Sequence, residues 1–260
     1  MAATARSSST WILIRGLARE QGHWGAFRDQ FAASLPKGDD VLAIDLPGTG
    51  EHYQESSPMT MSSIFNHVRG EAIARTREQN QFKILAVSMG AMVAMEWLKQ
   101  KPQDLSGCVL INSSSRSLSP AYRRLRWQIW GDFVKLAGEQ NLRERERGIL
   151  DLLLNNPEAR AEALPLWAKI ATERPVSYPN FFRQLTASAT FGGLEKAPDV
   201  PTLLLNGLGD RFVDPSCSTQ LHERYGWPIF RHPWAGHDTT WDDPQWVIDK
   251  IKLWATSANA

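Results

Sequence analysis

Cysteine is nearly missing from this chain: Cys108 and Cys217 are the only two in 260 residues. That excludes a disulfide framework and fits a reducing compartment. Each thiol reads as a small buried apolar group. An excess of either charge is missing as well. Lys and Arg number 29 against 28 Asp and Glu, which argues against a dedicated binder of nucleic acid or membrane surface. No apolar run approaches the length of a membrane span. No secretory leader is legible either, because the first apolar run, Trp11-Ile12-Leu13-Ile14, stops at Arg15. No CxxC pair or His/Cys cluster offers a metal site. What these absences leave is a soluble, cytoplasmic protein. Hydrophobic residues at 42% suffice for a packed core.

What is present is a series of short apolar runs bounded by turn residues. They are WILI at 11–14, VLAI at 41–44, FKILAV at 82–87, CVLIN at 108–112, TLLLN at 202–206 and PIFRH at 228–232. Continuous runs of this kind are the mark of buried parallel strands. Helical spacing lies between the early ones, at 24–35, 61–78 and 90–100, and a C-terminal helix is expected at 244–255. Alternating strands and helices predict a doubly wound, mostly parallel α/β sheet. The alternation stops from about 116 to 195. There Tyr122, Leu125, Ile129, Phe133 and Leu136 have the spacing of one helix face, and further helices are expected near 149–154, 158–173 and 179–190. The expected organisation is a core of 1–115 and 196–260 carrying an inserted helical cap, 116–195, over the carboxyl ends of the strands, where open α/β sheets bind ligands.

Ser88 sits between the strand FKILAV and the helix that starts at 90. A turn this abrupt holds its central side chain out at the top of the sheet and demands small residues two places before and after. Ala86 and Gly90 meet that demand. A serine needs a base, and the base an orienting acid. His237, in PWAGHD, follows the last strand. Asp210, in NGLGDRFVD, follows TLLLN, with Asp214 as the fallback acid. The order Ser, Asp, His, each just beyond a different strand, is the order of one serine-hydrolase architecture. The oxyanion donors expected there are the backbone N–H of Met89 and, from the loop after the first strand, that of Leu17.

These elements, WILIRGL, IDLPGTG, AVSMGA, NGLGDRFV and WAGHD, together resemble the α/β-hydrolase superfamily, in its capped small-molecule branch. The resemblance covers about 11–115 and 196–257. It implies a serine hydrolase that cleaves carboxylic esters through an acyl-enzyme, with a small-molecule ester as substrate and neither metal nor organic cofactor. Ala86 departs from the usual glycine. Arg15 stands where relatives place histidine; it is either salt-bridged, to Asp45 or Glu20, or a contact for an acidic group of the substrate. Positions 116–145 hold seven Arg or Lys (Arg116, Arg123, Arg124, Arg126, Lys135, Arg143, Arg145) against three acids. That excess is either a solvated helix face or a surface for an acyl carrier protein. In size and basic cap the chain is similar to the pimeloyl-carrier-protein methyl ester esterases. Trp127, Trp130, Phe181 and Phe182 are candidates for the wall of an acyl pocket. A carrier-protein-directed esterase or thioesterase, and a non-catalytic binding protein on the same fold, are the alternative readings.

Overall fold

The computed structural model describes residues 8–76 and 81–258. Each apolar run becomes a strand: β1 Thr10–Ile14, β2 Asp40–Ile44, β3 Phe82–Val87, β4 Leu105–Ile111, β5 Thr202–Gly207 and β6 Ile229–His232. All pair in parallel, in the order β2-β1-β3-β4-β5-β6. The direction of winding reverses at β1 and β3, whose carboxyl ends lie side by side, with Ile14 in register with Ala86. This switch point is where such sheets bind ligands.

Alternate residues of each strand feed two cores. Ile12, Ile14, Ile84 and Ala86 face one way, under α2 (Met61–Arg75), α3 (Met89–Gln100) and α9 (Ser216–Tyr225). Trp11, Leu13, Leu85 and Val87 face the other, under α1 (Phe27–Ser34) and α11 (Pro244–Ala258). The sheet is therefore doubly wound. Cys108 and Cys217 are free and fully buried; burial pushes the Cys217 thiol up to about 11. The helix expected over 61–78 ends at Arg75, and its positions 77 and 78 lie outside the described residues. Helix α9 was not legible as a helix, because its four-residue apolar spacing (Cys217, Leu221, Tyr225) is embedded in polar residues.

Between β4 and β5 the chain runs through α4 (Ala121–Arg124), α5 (Trp130–Gly138), α6 (Leu142–Leu153), α7 (Pro157–Glu173) and α8 (Tyr178–Thr190). One expectation fails here. The spacing Tyr122 to Leu136 is not a single helix face: the chain becomes extended at Leu125 and restarts in a 3-10 turn at Trp127–Ile129. The Arg126 N–H donates to the Phe212 carbonyl (3.0 Å) instead of within a helix. A tertiary hydrogen bond has thus overridden local periodicity. Among the described residues no helix is long and apolar enough to cross a membrane. The remaining helix, α10 (Thr239–Asp242), follows the histidine loop.

Trp97 on α3 is fully buried, packs edge-on against Phe65 and Phe82, and donates through Nε1 to Asp104 (3.1 Å). Trp97→Ala is expected to lower the unfolding free energy by about 3–5 kcal/mol, read from chemical denaturation.

Candidate active site

From Ile84 to Leu98 every residue is buried except Ser88. The exception is caused by the backbone. Ser88 takes φ 57° and ψ −118°, in the left-handed half of the map that a residue with a Cβ rarely enters. This bend turns the side chain out of the core while the chain passes from β3 into α3. The Ser88 N–H donates to the Ile111 carbonyl (2.8 Å), so the strain is held by the neighbouring strand. Gly90 explains the small residue two places on. A Cβ there would overlap the carbonyl oxygens of Ile14 and Arg15, because α3 starts directly against the end of β1. Gly16 is similarly close: a Cβ on it would lie 3.0 Å from Ser88 Cβ. The loop that carries Leu17 therefore rests on the serine. Ala18 in that loop also has a positive φ, 55°, and its N–H donates to Gln184 Oε1 on α8 (2.9 Å). The fully buried Gln184 in turn donates to the Pro47 carbonyl (3.1 Å). The Leu17 N–H meets no protein acceptor among the described residues. The Met89 side chain is in the core, which leaves only its backbone to face the site.

Asp210 and His237 are buried and adjacent: Asp210 Oδ2 lies 2.7 Å from His237 Nδ1. The other carboxylate oxygen accepts the N–H groups of Phe212 (2.7 Å) and Val213 (2.9 Å). These two donors fix the plane of the carboxylate. The fallback acid, Asp214, instead accepts from the Ser216 N–H (2.9 Å). With Nδ1 engaged, the histidine's Nε2 is the nitrogen left for chemistry. Ser88 and His237 line the same cavity, of about 190 Å³.

Asn112 holds this arrangement and was not singled out from the sequence. It is buried at the end of β4, with φ 48°. Its Nδ2 donates to the carbonyls of Gly236 (3.1 Å) and His237 (2.8 Å), and its Oδ1 accepts from the Gly207 N–H (2.9 Å) and from Asn206 (3.0 Å). One amide thereby fixes the acid loop against the histidine loop. The available signal was an asparagine at the carboxyl end of an apolar strand. Asp242 gives a second tie, accepting from the N–H groups of Gly236 (2.6 Å), Asn155 and Asn156. It joins the histidine loop to the α6–α7 junction.

Arg15 is buried against Asp238, with both terminal nitrogens on that carboxylate, and its guanidinium lies 4.7 Å from the Trp24 ring centre. The sequence offered Asp45 or Glu20 as partners, and both are used elsewhere. Asp45 accepts the N–H groups of Gln21 and Glu51, and Glu20 pairs with Arg174. Arg15 still lines the cavity, but its donors are largely committed. The tryptophans correct the expectation. Trp127 is 62% exposed and Trp130 50%, and neither lines the cavity. The break at Leu125 carries both outward, and α5 turns Phe133, Leu136 and Ala137 to the cavity instead. Phe181 and Phe182 do line it. The ring of Phe181 packs on Phe133, Phe133 on Phe212, and Phe212 on His237. Arg124 donates to the carbonyls of Ser188 and Ala189, and Arg126 to that of Asp210 (2.8 Å). These two cations therefore stitch the molecule together.

The geometry invites comparison with known proteins. The profile of the "Alpha/beta hydrolase family" matches residues 11–250. The chain belongs to that family. Two curated relatives, of Klebsiella pneumoniae and Klebsiella variicola, bear the name "Putative carbamate hydrolase RutD"; each is 27% identical over 237 residues, covering 87% of this chain and 83% of the relative. Among solved structures, the enol-lactonase from Burkholderia xenovorans superposes with a TM-score of 0.75 at 16% identity, covering 96% of this chain and 92% of that one. An esterase from Rhodococcus gives 0.72 at 19% identity, covering 96% and 91%. Identities this low establish a shared hydrolase fold.

His23, in the cavity wall, has its basicity lowered by burial and then by the Arg19 and Arg15 charges. The folded state therefore binds this proton less well than the unfolded chain, whose value is about 6.5. Stability is complete above that pH and is lost as the pH falls below it. The thermal midpoint should drop between about pH 7.5 and 5.5, and His23→Gln should flatten the slope; an equally steep profile in the variant would assign the loss to other groups.

Proposed function

We propose that this alpha/beta hydrolase is a serine esterase working through Ser88, His237 and Asp210. The observation that carries the reading is the bond of Asp210 Oδ2 to His237 Nδ1, in a buried pair whose histidine lines the same cavity as Ser88, the one residue of the elbow that is not buried. In this reading Nε2 of His237 takes the Ser88 proton as Oγ attacks the acyl carbon. The N–H groups of Met89 and Leu17 receive the oxyanion. His237 then protonates the leaving alcohol, and water, deprotonated by the same nitrogen, releases the acid from the acyl-serine. Asp210 holds the histidine's tautomer and stabilises its charged form.

Residues 116–195 act in this reading as a cap: α5, α6, α7 and α8 supply the cavity's apolar wall. Free, buried Cys108 and Cys217 suit work in the reducing cytoplasm. A carrier-protein partner draws less support, because Arg124 and Arg126 are engaged internally. A carbamate substrate is the second reading, favoured by the name that the Klebsiella relatives bear. Its carbonyl would be attacked by the same serine.

Ser88→Ala is expected to abolish labelling by a fluorophosphonate probe, and Asp210→Asn to cut kcat on p-nitrophenyl acetate about 10⁴-fold through the wrong tautomer. A well-folded wild-type protein that takes no label would make this a binding protein instead. Comparing p-nitrophenyl acetate with a phenyl carbamate in the same assay separates the two substrate readings.

A further inference from the structure

The cavity wall holds four arginines, Arg15, Arg19, Arg145 and Arg174, against three carboxylates, Glu20, Glu146 and Asp238. Three pairs form: Arg15 with Asp238, Arg19 with Glu146 (2.8 Å) and Arg174 with Glu20. All three carboxylates are nearly inaccessible to solvent. His23 adds no balancing negative charge, and burial keeps its ring neutral. Arg145 is left over. Its side chain is half-buried and forms no hydrogen bond or ion pair with any described residue.

Its position along α6 gives this surplus charge a meaning. The Leu153 carbonyl at the end of the helix accepts the Asp238 N–H (3.1 Å), which sets that end beside His237. Arg145 lies eight residues back on the same cavity-facing stripe, which also carries Ile149 and Leu152. At the helical rise this is about 12 Å along the axis. Between the two ends the wall is apolar, made by Ile149, Leu152, Phe133, Leu136 and Phe181. The cavity thus has a nucleophile at one end, an apolar middle and one uncompensated guanidinium.

We propose that Arg145 binds a terminal carboxylate on the acyl chain, so that the preferred substrates are monoesters of aliphatic dicarboxylic acids. A single surplus positive charge matches one carboxylate better than a doubly charged phosphate, and a guanidinium forks onto a carboxylate in two parallel hydrogen bonds. The half-buried setting strengthens that bond relative to a fully exposed pair. Arg15 cannot serve the same end, because Asp238 already occupies its fork. The assignment rests on the serine-esterase reading for the ester, but the anion site itself does not need turnover.

The test therefore has a binding arm and a turnover arm. In the Ser88→Ala protein, calorimetry should show monomethyl suberate binding more tightly than methyl octanoate. Adding Arg145→Gln should weaken the suberate ester roughly tenfold or more, while Arg145→Lys restores part of the loss. Equal weakening of both ligands, or no preference for the charged one at the start, would overturn the proposal. In the Ser88-containing protein, the ratio of kcat/KM for the two esters should fall by a similar factor in Arg145→Gln. Arg145-dependent binding in a protein that hydrolyses neither ester would sink the esterase reading and keep the anion site. Hydrolysis of both esters with no Arg145 dependence would do the reverse.

Discussion

The Ser88 backbone is the constraint on which the rest of the site depends. A residue with a Cβ at φ 57° costs of order 1–3 kcal/mol, so the surroundings must over-determine it. They do so from both sides. The Ile111 carbonyl takes the Ser88 N–H from β4, and β1 presses its terminal carbonyls onto Gly90. The consequence is that the serine and the loop carrying Leu17 cannot move independently. The place where the sheet's winding reverses is also where the Ser88 side chain stands.

The acid and the histidine arrive on two further loops, and their alignment is a separate problem from the elbow. Asn112 solves it with one side-chain amide that donates to the histidine loop and accepts from the acid loop. Asp242 continues the connection into the α6–α7 junction. The α6–α7 junction is thereby tied to the histidine loop by backbone N–H groups of both that donate to the Asp242 carboxylate. A buried polar group with all its partners present is rigid.

Charge in the cavity wall follows the same economy. Arg15 and Arg19 are largely withdrawn from water and the more exposed Arg174 is not, but each meets a buried carboxylate at hydrogen-bond distance. Those paired cations shape the wall, and Arg145 is the wall arginine whose side chain meets no partner among the described residues. Near-neutrality of the whole chain conceals this, since it says nothing of how charges are distributed over one concave surface.

Six strand positions, the doubly wound class and the order of Ser88, Asp210 and His237 were legible in the sequence. Buried parallel strands must be continuously apolar, and a strand-to-helix turn must place small residues around its centre. These are local consequences of burial and backbone sterics. Other features were not legible because they are long-range. The break at Leu125, which sends Trp127 and Trp130 to the surface, is decided by a bond from Arg126 to Phe212, 86 positions later. The partner of Arg15 is Asp238, 223 positions away, and not the nearby Asp45 or Glu20. Sequence alone determined which residues could perform chemistry, because residue type and local pattern carry that information. Only the tertiary structure decided which charges cancel and which one stays free, because pairing is settled by distance through space.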